Sequence, residues 1–178
     1  NKKIFKYCRE YHDHGHELNP KYPRGMDTKS ITGFNYRMTE LQAAIGKVQI
    51  KKLDYIIKEN KKRYENIFNK IKDSSLEFRQ IPNKTDQIFD TLIFKCSNKS
   101  KRKKIVKLLN KKGFGTKNLP DAIKWHCAYY WDHALTSKQI KKLKKTKNLL
   151  ETSIAIPIWL RKSVSSYKSL GKEILKIL

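Results

Sequence analysis

The sequence predicts an α+β fold, in which a small, mostly antiparallel sheet is covered by helices on one face. Three observations carry that prediction. Apolar residues recur at near-helical spacing from Leu41 to Ile71, a run longer than an average helix. Two short stretches, 87–96 and 154–158, have the apolar, β-leaning character of strands. Amphipathic helical patterns lie between and after them, so strand, helix and strand follow one long helix in a layered arrangement.

The elements follow in order. Residues 3–11 read as a helix that runs into a polar, His-rich turn. Gly15, Pro20, Pro23 and Gly25 make residues 12–32 an extended loop. Thr39 with Gln42 three residues later is a capping box that opens a helix. Leu41, Ala44, Ile45, Val48, Leu53, Ile56, Ile57, Tyr64, Ile67, Phe68 and Ile71 carry it to about Lys72, with a bend expected partway. A strand is expected over 87–96. Ser100 is expected to cap a basic helix that carries Ile105, Val106, Leu108 and Leu109 and stops at Gly113. A short strand is expected at 114–116, then a long aromatic loop over 118–135. Ser137 should start a further helix ending near Leu150, residues 154–158 with Pro157 read as an edge-like strand, and Ser163 opens the last helix.

Composition narrows the class. The chain has 178 residues, of which 38% are hydrophobic, enough for one domain or a domain plus part of another. Cys8, Cys96 and Cys127 are too scattered for a disulfide framework and fit a reducing setting. No apolar run nears the roughly 20 residues that span a bilayer, so a soluble, cytoplasmic protein without membrane partners is expected. The formal charge of +25 raises the question of nucleic acid. Yet only seven of the 41 basic residues are Arg, and the 34 Lys are spread along the whole chain. Solvated helix faces account for that pattern better than one nucleic-acid patch, so no specific nucleic-acid partner is expected. The opening segment already reads as helix, and a segment upstream of Asn1 is expected.

The stretch Gly33-Phe34-Asn35-Tyr36-Arg37-Met38-Thr39-Glu40-Leu41-Gln42-Ala43-Ala44-Ile45-Gly46, reaching Lys52-Leu53-Asp54, joins a polar turn to the capped helix. Asn35 and Arg37 put an amide and a guanidinium beside an anion-friendly helix start. This turn, cap and helix in register resemble a signature of the DegT/DnrJ/EryC1/StrS aminotransferases. The resemblance implies the C-terminal part of a pyridoxal-phosphate (PLP) transferase of fold type I, acting as a homodimer with active sites at the interface. Residues 1–38 would be the tail of the PLP-binding large domain and an active-site loop, 39–72 a long linking helix, and 73–178 the C-terminal small domain. It also implies that Asn35 reaches the phosphate of the neighbouring subunit's PLP. Arg37 would lie near it as an anion anchor, or alternatively pair with a carboxylate for structural reasons. The family's Schiff-base lysine lies upstream of a helix like residues 3–11, so none of this chain's residues is expected to be catalytic and the chain alone should not transaminate.

Two departures from the family pattern bear on the substrate. Arg9, His14 and Gly15 fit its Arg…His-Gly position, but the turn continues through His16, Pro20 and Pro23 to Arg24-Gly25. The second departure runs from Lys117-Asn118 through His126 to Leu135, where the family has a shorter segment. Both resemble the branch that forms 8-amino-3,8-dideoxy-manno-octulosonate, an acidic sugar of lipopolysaccharide. His14, His16, Arg24, Lys117, Asn118 and His126 are the candidates for holding a sugar carboxylate. A sugar substrate, an amino donor (glutamate in most of the family) and PLP are thus the expected small molecules. A PLP-dependent sugar dehydratase of the same fold and a basic nucleic-acid-binding module are the alternatives. A zinc site drawn from His12, His14, His16, Cys8, His126, Cys127 and His133 lacks a closed ligand spacing, so no metal is expected.

Overall fold

The computed structural model describes the chain except Arg24, Asn118, Leu119, Pro120, Ala122 and Ile123. It divides into two compact units, Asn1–Lys52 and Leu53–Leu178. In the first, α1 (Lys2–Tyr11) starts at Asn1, whose side chain accepts from the Lys3 and Ile4 amides. A connection over 12–39 leads to α2 (Glu40–Ile50). The expected capping box is present: the Gln42 amide donates to Thr39 Oγ1, and the Thr39 amide donates to Gln42 Oε1 at 2.9 Å. The bend expected in the long helix is a full break. The Lys52 amide closes back on Gln49 O at 3.0 Å, and the next helix, α3 (Leu53–Ile71), begins one residue later in the second unit.

The second unit is the expected α+β layer. Its antiparallel sheet has the order β1 (Glu77–Phe78), β2 (Thr91–Lys95), β3 (Ser153–Pro157), with α4 (Lys99–Lys111), α5 (Ser137–Lys142), α6 (Lys144–Thr152) and α7 (Val164–Leu175) completing the unit. Alternation along the strands sorts the two faces. Leu92 and Phe94 pair across with Ile156 and Ile154, and all four are buried. Against them pack Ile67 and Ile71 of α3, Ile105 and Leu109 of α4, and Tyr167, Leu170 and Ile174 of α7. Gly171 lets α7 pack tightly on α3, since a Cβ there would sit 2.8 Å from Lys70 Cβ. Arg63 fastens α3 to the turn before α7 by donating to Lys162 O at 2.8 Å and Leu160 O at 3.2 Å.

Several local expectations are corrected. Asn98, not Ser100, caps α4, accepting from the Lys101 amide at 2.9 Å; Asn is among the strongest N-cap residues. Residues 114–116 form no strand. Instead the Lys117 amide and the Thr116 hydroxyl both donate to Ala155 O, which tacks the segment to the edge of β3. The helix expected from Ser137 to Leu150 is two helices separated at Leu143, and Thr136 opens the first through a capping box with Gln139. The strand expected over 87–96 is paired only over Thr91–Lys95. Its neighbour β1 was not expected at all, because two residues carry no period.

Candidate functional site

The site residues of the first unit are assembled by glycine. Gly15 has φ +82°, and a Cβ there would fall 2.0 Å from Ile31 O; a Cβ on Gly33 would fall 2.3 Å from Gly15 N. Only glycine at both positions lets residues 11–16 and 31–36 approach this closely. The two segments then pair: His14 N donates to Phe34 O, Phe34 N to Tyr11 O and Tyr36 N to His12 O, all within 3.0 Å. Asp13 and Asn35 come to lie opposite one another in an antiparallel bridge.

That pairing sets the polar cluster. Asn35 Oδ1 accepts from Arg37 Nε at 3.1 Å and from the Arg37 amide at 3.3 Å. Asp13, nearly fully buried, places Oδ1 3.4 Å from Arg37 Nε. The carboxylate pairing left open for Arg37 is therefore present, and Asp13 is the member that sequence reasoning missed. Its position four residues after Arg9, in a His-rich turn, carried no spacing signal toward residue 37. With Nε and Oδ1 committed, the Asn35 amide NH2 and the terminal nitrogens of Arg37 have no partner among the described residues, and both residues are exposed. These outward donors fit the oxygens of a phosphate, where charge-assisted bonds are strongest. The helix start itself contributes less than its position suggests. The cap consumes the Gln42 amide, and Glu40 puts a carboxylate on the first turn.

The histidine-rich loop is fixed from inside. His16 Nδ1 lies 3.0 Å from Asp27 Oδ1, and the Leu18 amide donates to Asp27 Oδ2 at 2.8 Å. Burial works to raise the Asp27 carboxyl, but the His16 and Leu18 hydrogen bonds outweigh it and hold the group below its ordinary 3.8. His14 is exposed at φ +56°, with its ring 6.2 Å from that of His16. It lines a shallow cavity with Lys29, Thr32 and Gly33. In the second unit Lys117 Nζ is held by Asp90 Oδ2 at 2.9 Å and Thr91 Oγ1 at 3.0 Å. His126 is exposed in a short helical turn, Lys124–His126, packed against Trp125. Arg24 and Asn118 lie outside the described residues. So the structure brings Asn35 and Arg37 together with Asp13, and His14 with His16.

Comparisons with known proteins give the family and the fold. The family model for the DegT/DnrJ/EryC1/StrS aminotransferases matches residues 1–170. Among solved structures, the chain is similar to Helicobacter pylori PseC, an aminotransferase involved in the biosynthesis of pseudoaminic acid, at 16% identity and a TM-score of 0.68. That match covers 99% of this chain and 46% of the Helicobacter protein. The sugar aminotransferase CalS13 from Micromonospora echinospora matches at 14% identity and a TM-score of 0.70, over 99% of this chain and 45% of its own. The Streptococcus pneumoniae protein Spr1654, described as a sugar aminotransferase and solved in a PLP-form, matches at 14% identity and a TM-score of 0.64, over 97% and 44%. At these identities the likeness shows the fold, and the chain spans about half the length of the structures it matches. Among the described residues no helix is long and apolar enough to cross a membrane. The match over residues 1–170, with the Gly33–Met38 turn and the Thr39 cap inside it, places the chain in the DegT/DnrJ/EryC1/StrS aminotransferase family, whose cofactor is PLP.

Proposed function

We propose that this chain is part of a PLP-dependent sugar aminotransferase and supplies phosphate-binding donors to the cofactor of a neighbouring subunit in a homodimer. The observation that carries the reading is the pair of outward donors on Asn35 and Arg37, held by Asp13 beside a capped helix. When bound, PLP supplies the electron sink for moving an amino group from a donor such as glutamate to a keto or aldehyde carbon. Asn35, through its amide N–H, and Arg37, through its terminal nitrogens, would hold the phosphate of that cofactor. Asp13 keeps the guanidinium in place through Nε. In this reading residues 1–38 end the large domain, 39–72 link, and 73–178 form the small domain.

The substrate we favour is an acidic sugar in cytoplasmic cell-surface polysaccharide synthesis, of the 8-amino-octulosonate class. Support comes from the elaborated loop at His14, His16 and Arg24 and from the segment at Lys117, Asn118 and His126. The side chains of His14 and His126 are exposed, with no hydrogen-bond partner among the described residues, and each ring is free to donate a hydrogen bond. His16 and Lys117 are already engaged by Asp27 and Asp90. Aminotransfer is preferred to dehydration because the matched structures are described as aminotransferases.

The test is Asn35→Ala in the complete enzyme. PLP retention, read from cofactor absorbance after gel filtration, should weaken by about 1–3 kcal/mol. A folded variant that keeps its cofactor unchanged would remove Asn35 from the phosphate site.

A further inference from the structure

The sheet face turned away from the core carries a cavity of about 490 Å³. Strand alternation builds its floor: Ile93 and Ala155 are a cross-strand pair on the side opposite Leu92, Phe94, Ile154 and Ile156. Leu149 and Leu150 of α6 form one wall, and Leu149 is 54% exposed. Three cations ring the opening, Arg79, Lys95 and Lys117. Two of them are already neutralised. Lys95 lies 2.7 Å from Glu77 Oε2, and Lys117 lies 2.9 Å from Asp90 Oδ2. Arg79 is anchored by its backbone, its amide donating to Ile93 O at 3.2 Å, while its guanidinium has no partner among the described residues. The cavity is thus an apolar trough with one uncompensated positive charge at its rim.

We propose that this trough binds a small monocarboxylate with an apolar body. The Arg79 guanidinium presents two parallel N–H donors that match a carboxylate, and the carbon skeleton lies over Ile93, Ala155 and Leu149. The volume falls in the range of small-molecule sites, which are mostly apolar with a few orienting polar groups. A dianion is disfavoured, because the second and third cations already hold carboxylates. Neither Asn35 nor Arg37 enters this site, so it stands or falls separately from the cofactor reading. Lys117 is shared with the proposed sugar contacts, and for that reason the test is placed on Arg79 and Leu149.

The experiment is an amide-resolved NMR titration of the 178-residue chain with 4-phenylbutyrate, compared with acetate and with 4-phenylbutan-1-ol. Saturable shifts are expected at Ile93, Lys95 and Ala155, with acetate and the alcohol each about tenfold weaker or worse. Arg79→Gln and, independently, the exposed Leu149→Gln should each lower phenylbutyrate affinity by about tenfold with the spectrum otherwise intact. The proposal is overturned by shifts confined to residues 1–52, by equal binding of acid and alcohol, or by unchanged affinity in Arg79→Gln. None of those results bears on PLP retention through Asn35.

Discussion

The two units of this chain use their apolar residues in opposite ways. In Leu53–Leu178 the apolar side chains are inside: Leu92, Phe94, Ile105, Ile154, Tyr167 and Ile174 are all within 1% of full burial. In Asn1–Lys52 the buried side chains among the described residues are carboxylates, Glu10 and Asp13, while Phe5, Tyr7, Phe34, Tyr36, Leu41, Ile45 and Val48 each stand more than half exposed. Burial of apolar surface drives folding at about 25 cal/mol per Å², so the second unit is held by its core. The first is held by backbone pairing, capping and ion pairs, and it keeps its aromatic rings, including the contiguous Tyr7, Tyr11, Phe34 and Tyr36, for other surfaces. A unit closed around its own apolar core and a unit whose aromatic and aliphatic side chains stand exposed coexist in one polypeptide.

The comparison is broken most directly at the core. Phe94→Ala should destabilise the second unit by about 3–5 kcal/mol in urea denaturation, whereas Phe5→Ala in the first should change stability by no more than about 0.5 kcal/mol. Equal costs at the two positions would mean that the first unit has a core of its own. Next in size is Gly15→Ala. A Cβ there meets Ile31 O and forces a residue with φ +82° out of the left-handed region, at about 1–3 kcal/mol. Hydrogen exchange should then speed up at the Phe34 and Tyr36 amides and stay unchanged at Leu92 and Ile156. Removing the helix cap comes third. Thr39→Ala should cost about 1 kcal/mol and fray α2, visible as lost amide protection at Gln42 and Ala43, with α3 intact.

The smallest effect sharpens the contrast by pH. Asp27 titrates below its ordinary 3.8, so its contribution is fully present above that value and lost as pH falls through the depressed one. Acid titration should release the Leu18 amide only below about pH 4, before the apolar second unit responds. Release of that amide near neutral pH would show that the His16–Asp27 pair does not hold the loop.

How much of this was legible in the chain varies by the range of the interaction. Thr39–Gln42 and Gly113 were readable because a cap or a left-handed stop is decided within a turn of backbone. Leu92/Phe94 and Ile154/Ile156 were readable as strands from their apolar, β-leaning runs. The Gly33–Met38 turn pointed to Asn35 and Arg37 before any coordinates. By contrast β1 exists only because β2 offers it an edge, and the bend expected in the long helix became a full break between α2 and α3. Asn98 displaced Ser100 at the start of α4 because either residue can cap and only the path of the chain out of β2 chooses between them.

The sequence by itself determined most of the helices, the two longer strands, the α+β class and the motif that marks the family and nominates Asn35 and Arg37, because helix periodicity, capping and glycine turns are local properties of the chain. Only the tertiary structure decided what those residues face. It set Asp13 against Arg37 through the Gly15–Gly33 approach, leaving the Asn35 amide to point outward. It also tied Lys117 to Asp90 and left the Arg79 guanidinium, beside the open sheet, without a partner among the described residues. Such pairings join residues roughly 20 or more positions apart, and no local preference encodes which of many lysines, arginines and carboxylates will meet once the backbone is packed.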